Sequence, residues 1–192
     1  MISGILLIVM QLTLEPLTSR LENISYLTGS FTQTDYWALT LDSETTGGNL
    51  HLAHPNLFLL EYSDVPGRST GCTGEGVFTV DPEFQEILLY EGSPEGFLHI
   101  LNSGDESSSE TDITSSGDSV TVTMTGSFDG GITGITAGYT LSDSLPFLLV
   151  TVDANGNSTR WDIRDLEVHD SVPDIFKVPE LPGYSVVDAG SV

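Results

Sequence analysis

From about residue 30 onward the chain consists of short runs of β-branched, aromatic and leucine residues, cut at close intervals by turn chemistry. The runs 30–42, 47–54, 56–63, 75–80 and 84–91 are separated by Thr46-Gly47-Gly48, Asp64-Val65-Pro66-Gly67, Gly71-Cys72-Thr73-Gly74 and Asp81-Pro82. Pro55 has no N–H to give a ladder and divides two neighbouring runs. Runs resume at 119–127, 132–141, 146–153 and 158–168, with Asp153-Ala154-Asn155-Gly156-Asn157 as a hairpin turn between the last two. Strands repeating every 8–12 residues or so leave no room for crossover helices, so they predict an antiparallel meander rather than βαβ units. The polar, acidic stretch 102–119, with Glu106-Ser107-Ser108-Ser109-Glu110, reads as an exposed loop around a weak strand near Ile113.

Two segments carry helical rather than strand periodicity. Leu14, Leu17, Leu21, Ile24 and Leu27 recur at helical spacing with Arg20, Glu22 and Asn23 between them, predicting an amphipathic helix over 14–28. Thr13 can cap it, Pro16 sits acceptably in its first turn and Gly29 can stop it. Phe97, Leu98, Ile100 and Leu101, after Pro94-Glu95-Gly96, suit one or two turns of a second helix. The sum is an α+β, mainly β fold: an incomplete, half-open antiparallel barrel of about ten to eleven strands. An N-terminal helix and a short second helix form its lid. A curled sheet of this kind either fills its hollow with side chains or leaves a cavity beneath a helix.

Alternation along the strands says which side chains would line such a cavity. Phe58, Leu60 and Tyr62 share one face of their strand, as do Leu50, Leu52 and His54. Together with Leu17, Leu21 and Ile24 they are the expected apolar lining; ordinary core is the competing reading. Trp37, Trp161, Phe84 and Tyr90 are expected as core or rim anchors.

Charge removes several functions. Five Lys+Arg stand against 28 Asp+Glu, a formal net charge of −23. No basic cluster exists to displace counterions from nucleic-acid phosphates, or to dock on anionic headgroups. Acidity of this kind speaks first to solubility. Cys72 is the single cysteine, so no intramolecular disulfide can form. There is no G-x-S-x-G elbow, no H-E-x-x-H and no glycine-rich phosphate loop before a helix. The chain is therefore expected not to be an enzyme and to need no metal or cofactor. Residues 1–12 include the apolar run Ile5-Leu6-Leu7-Ile8-Val9-Met10. It is too short for a bilayer span of roughly 20 residues and fits the apolar region of an export signal peptide. It lacks the positive start and the small-x-small cleavage site of such a signal, and a buried N-terminal element is the alternative.

Five segments, in order, resemble the LolA-type periplasmic carriers of outer-membrane lipoproteins. Gly29-Ser30-Phe31-Thr32-Gln33 resembles the F-x-Q that closes the first helix and opens the first strand, and Gly48-Asn49-Leu50-His51-Leu52-Ala53-His54-Pro55-Asn56-Leu57-Phe58 resembles the G-x-L-x-(hydrophobic)-x-R-P-x-x-F signature. Gly74 to Asp81 is similar to the family's D-G-containing hairpin, and Phe97 to Leu101 to its apolar lid helix. Ile175-Phe176-Lys177-Val178-Pro179 with Pro182-Gly183-Tyr184-Ser185-Val186 resembles its closing F-x-x-P-x-G segment. The resemblance implies a domain over 13–188, followed by a tail at 189–192. It also implies a monomeric periplasmic chaperone whose apolar cavity takes the acyl chains of lipoproteins from an inner-membrane transporter to an outer-membrane receptor. The alternative it leaves is a relative of the same fold that binds lipid or senses the envelope without shuttling. Where the family has arginine before the proline, this chain has His54. The resemblance implies that this residue holds the lid around Phe97–Leu101. A guanidinium has five donors and stays charged, whereas a neutral imidazole donates one bond.

Overall fold

A computed structural model describes residues 14–91, 108–128 and 131–191. The expected export segment 1–12 and the second helix with Phe97, Leu98, Ile100 and Leu101 lie outside them. The described residues form one helix, α1 (Glu15–Glu22), and a single twelve-stranded sheet. Its strands are β1 (Tyr26–Trp37), β2 (Asp42–Ala53), β3 (Leu57–Tyr62), β4 (Ser69–Cys72), β5 (Gly76–Asp81), β6 (Glu86–Glu91), β7 (Ser108–Ser116), β8 (Ser119–Gly126), β9 (Ile132–Thr140), β10 (Pro146–Asp153), β11 (Ser158–His169) and β12 (Ser185–Ser191). The order across the sheet is β12-β6-β5-β4-β3-β2-β1-β11-β10-β9-β8-β7, an open arrangement with β12 and β7 as its edges. Every neighbouring pair is antiparallel except β12 with β6. This is the mainly β, half-open sheet that the alternation predicts, with two strands or one more than expected. No helix among the described residues is long and apolar enough to cross a membrane.

Several boundaries differ from the expected ones, each for a local reason. The helix stops at Glu22 rather than 28, and its last turn closes where the Asn23 N–H donates to the Arg20 carbonyl and the Ile24 N–H to the Leu21 carbonyl. Leu14 occupies the N-cap position with no side-chain cap. Tyr26 and Leu27 instead enter β1, where they pair with both β2 and β11, a fuller hydrogen-bond ladder than a fraying helix end offers. Gly29 is not a helix stop but a strand residue, and a Cβ there would come within 2.8 Å of the Arg164 carbonyl. Thr46-Gly47-Gly48 is not a turn either. It lies inside β2, and a Cβ on Gly48 would stand 1.8 Å from the Glu61 carbonyl, so the glycine permits the approach of β3. The turn sits at Ala38–Leu41. Ser69–Cys72 is a short strand, and its turn moves on to 73–75. The weak strand expected near Ile113 is a complete edge strand over 108–116 rather than a short piece within a loop, and residues 189–191 of the expected tail belong to β12.

The face on which α1 lies is the inner face. Leu14, Leu17, Leu21 and Ile24 pack there against Leu27, Val120, Val122, Met124, Ile135, Ala137, Tyr139 and Leu149, a continuous core under β8, β9, β10 and the start of β1. A second cluster, Phe31, Leu50 and Ile163, continues along the inner face toward Leu60 and Tyr62. The third is on the outer face. Phe78, Val80 and Ile87 are buried there beneath Val178 and Tyr184, which arrive from the segment that leads into β12.

Candidate binding hollow

The ladder register lines up inner-face side chains in rungs across β1 to β6. One rung runs Leu27, Leu52, Phe58, Cys72, Val77, Tyr90, and the next runs Leu50, Leu60, Thr70, Thr79, Leu88. Because α1 is eight residues long and spends itself on the β8–β10 side, it leaves most of these rungs uncovered. Phe58, Leu60, Tyr62, Val77, Leu88 and Tyr90 are half-buried, unlike the fully buried row beneath α1.

At the junction of the two regions Leu21, Ile24, Leu27, Leu52, Ala53, His54, Pro55, Asn56, Leu57 and Phe58 surround an apolar opening of about 40 Å³. Pro55 follows His54 through a cis peptide bond. An apolar cavity of about 150 Å³ is what holds a benzene-sized guest, so this opening admits the end of an alkyl chain and a longer stretch requires the rungs beside it to part. Of the residues that sequence reasoning assigns to a cavity, Leu21, Ile24, Leu52, Phe58 and the exposed His54 meet here. Leu50, Leu60 and Tyr62 follow on the same face. Leu17 is fully buried core under β8 and β9 and does not reach the opening.

The other end of the same face is polar. Gln33, Asp35, Glu44, Thr46, Tyr62, Arg68, Thr70 and Thr79 line an open groove of about 260 Å³. Its floor is a hydrogen-bonded chain: Thr159 donates to Asp35 at 2.7 Å, Gln33 Nε2 donates to the other Asp35 oxygen at 2.7 Å, and Trp161 Nε1 donates to Gln33 Oε1 at 3.2 Å. The Arg68 guanidinium lies 4.4 Å over the Tyr62 ring and donates to both oxygens of Asp64. Burial pushes the Tyr62 hydroxyl above the usual phenol range, so it stays a neutral donor. The hollow is thus amphipathic along its length. Alternation predicts the apolar lining; the polar end was missed because the presumed turn at 46–48 hid the inward register of Glu44 and Thr46.

Two other groups have chemistry that the hollow does not use. On the outer face the Tyr26 hydroxyl meets His51 Nδ1 at 2.7 Å, and His51 Nε2 meets Glu61 Oε2 at 3.2 Å. With Nε2 protonated, the neutral imidazole donates to Glu61 and accepts from Tyr26, which satisfies all three groups and ties β1, β2 and β3 together. Burial, and then the charge of Glu61, hold the Tyr26 phenol above its ordinary range. Cys72 is fully buried beside Phe58, and burial pushes its thiol up, away from the reactive thiolate. Among the described residues no cluster of three or more His, Cys, Asp or Glu could hold a metal ion.

The family described as outer membrane lipoprotein carrier protein LolA matches residues 22–179. No curated protein matches the sequence. Among solved structures, an uncharacterized conserved protein from Thermus thermophilus superposes with a TM-score of 0.60 at 10% identity, over 91% of this chain and 96% of the other. A DUF1329 family protein from Desulfovibrio piger follows at 0.50 and 11% identity, over 84% and 92%. A LolA superfamily protein from Nitrosomonas europaea gives 0.46 at 9% identity, over 87% and 98%.

Proposed function

We propose that this chain, which belongs to the outer membrane lipoprotein carrier (LolA) family, is a periplasmic, non-enzymatic carrier that shelters lipoprotein acyl chains against the inner face of its half-open sheet. The observation that carries the reading is the half-buried inner face beside α1. There Leu52, Phe58, Leu60 and Tyr62 continue the apolar surface that Leu21 and Ile24 begin. Each CH₂ withdrawn from water contributes about 0.8 kcal/mol, so a long chain gains strongly from even a partial groove. A half-covered face also releases what it holds more readily than a closed core does. The formal charge of −23 suits docking partners with basic faces, here an inner-membrane transporter and an outer-membrane receptor. His54 stands at the rim of the opening and is the residue to contact a lid over Phe97–Leu101.

A second reading is favoured by the size of the opening. At about 40 Å³ it grips the end of one chain, as suits a lipid-binding or envelope-sensing module that does not shuttle. Native mass spectrometry of the chain extracted gently from its own envelope separates the two. An acylated polypeptide on the protein supports the carrier, a single lipid supports the sensor, and a bare mass removes both. His54→Arg and His54→Ala are expected to alter release of a bound acyl chain in opposite directions. Unchanged uptake and release in both variants would remove His54 from the lid.

A further inference from the structure

We propose that the β1–β2 hairpin is a membrane-contacting finger that sinks Trp37, Leu39 and Leu41 into an electrically neutral phospholipid surface. β1 and β2 stay paired out to Trp37 and Asp42, whereas β3 pairs with β2 only between Gly48 and Ala53. The last turns of the hairpin therefore project past the β3 side of the sheet. At the tip Leu39 is 96% exposed, Leu41 75% and Trp37 41%. From Tyr36 to Leu41 no residue carries charge. Scattered exposed leucines are ordinary, but three large apolar side chains within five residues of a protruding tip are not.

None of the three side chains belongs to a core cluster. Leu41 has φ of 60°, in the left-handed region where glycine or asparagine would sit at less cost. The tip is nevertheless braced: the Leu41 N–H donates to the Trp37 carbonyl at 2.8 Å, and the Ala38 N–H donates to Asn157 Oδ1 at 3.0 Å. It is an exposed apolar point held at its base by these two hydrogen bonds. A protein interface of standard size buries about 800 Å² on each side, more than such a tip offers, whereas a lipid surface accepts a point. Charge selects the kind of surface. Asp35, Asp42 and Glu44 flank the finger, and Arg160 in the neighbouring strand is engaged by Asp162, so an anionic surface is repelled. Phe84, 73% exposed in the β5–β6 turn, lies at the same end of the strands and supplies a second apolar point on that rim.

The proposal does not depend on whether the hollow holds an acyl chain. Its test is flotation of the full chain with phosphatidylcholine vesicles, with and without phosphatidylglycerol, followed by quenching of tryptophan emission with brominated lipid. The wild type is expected to float with neutral vesicles, less so with anionic ones, and to be quenched. Leu39→Ser and Leu41→Ser should each weaken binding about tenfold, and Leu41→Gly should weaken it while leaving the protein no less stable. Failure of the wild type to bind neutral vesicles, a preference for anionic ones, or unchanged binding by the Leu39→Ser/Leu41→Ser double variant would each overturn the finger. Uptake of a fluorescent long-chain fatty acid is expected to be equal in the double variant and the wild type. Loss of that uptake would place these leucines in the hollow instead and would also overturn the finger.

Discussion

On the β8–β10 side of the sheet, α1 presses Leu17 and Leu21 onto Val120, Val122, Met124, Ile135 and Tyr139, and the inner face there is sealed. On the β3–β6 side the same alternation of apolar and polar residues leaves Phe58, Leu60, Val77 and Leu88 half-buried. What holds that side together lies behind it, where Val178 and Tyr184 close over Phe78, Val80 and Ile87. One half is stabilised through its inner face and the other through its outer face. A sheet built this way can leave an apolar inner surface only half-buried by its described residues without losing its strands, because much of their packing lies at the back.

The sharpest way to break this comparison is to empty the back of the open half. Phe78→Ala removes a fully buried ring and is expected to destabilise the fold by about 3–5 kcal/mol. Leu17→Ala, the matching deletion in the sealed half, should cost about 2–5 kcal/mol. Urea denaturation midpoints at constant slope read both. If Phe78→Ala cost less than about 1 kcal/mol, the outer-face cluster would not be what supports β3 to β6. Phe58→Ala, on the uncovered side, should cost only about 1–2 kcal/mol of stability, since a half-buried side chain has less transfer free energy to lose. It should weaken retention of a fluorescent fatty acid well beyond what that loss of stability explains. Equal effects of Phe58→Ala and Leu17→Ala on retention would erase the distinction between the halves.

The same comparison shows how far residue order alone could be read. Periodicity placed α1, ten of the twelve strand regions and the inward face of Leu50, Leu52, Phe58, Leu60 and Tyr62, because alternation against a buried face is a local signal. It misjudged Gly48 and Gly71 as turn residues. In both places glycine serves close packing instead: a Cβ would strike the Glu61 carbonyl in one case and the Phe78 ring in the other. Those are contacts between strands, invisible within either run. β12 was missed because its ladder among the described residues is with β6, about a hundred residues earlier in the chain. That Leu17 seals the core while Leu21 and Ile24 reach the opening follows from how α1 is rotated on the sheet, which the helix's own apolar stripe does not specify.

The finger sharpens the comparison at a smaller scale, since its apolar residues contribute to neither core. Leu41→Gly should stabilise the fold by about 1 kcal/mol by relieving the left-handed backbone, as a rise in the urea midpoint. A loss of stability would mean that the Leu41 side chain packs against something and that the tip belongs to the folded core.

The smallest effect expected is electrostatic and lies on the outer face of β11, on the sealed side. Arg160 Nη2 and Nε donate to the two oxygens of Asp162 at 2.6 and 2.7 Å. The hydrogen bonds from Arg160, and then its charge, hold the Asp162 carboxyl below the usual carboxylate range. A carboxyl depressed in the folded state contributes stability that is fully present above its unfolded value of about 3.9 and is lost as pH falls through the folded value. Both side chains are substantially exposed, so solvent screening cuts the contribution to a few tenths of a kcal/mol. Asp162→Asn should therefore be slightly less stable than the wild type at pH 7, and the gap should close as the pH drops below about 4. Comparing variant with parent at each pH is essential, because 28 carboxylates facing five Lys and Arg repel one another throughout the chain, and their protonation changes both proteins alike. A gap that widened in acid would mean that Asp162 is held by something other than its arginine.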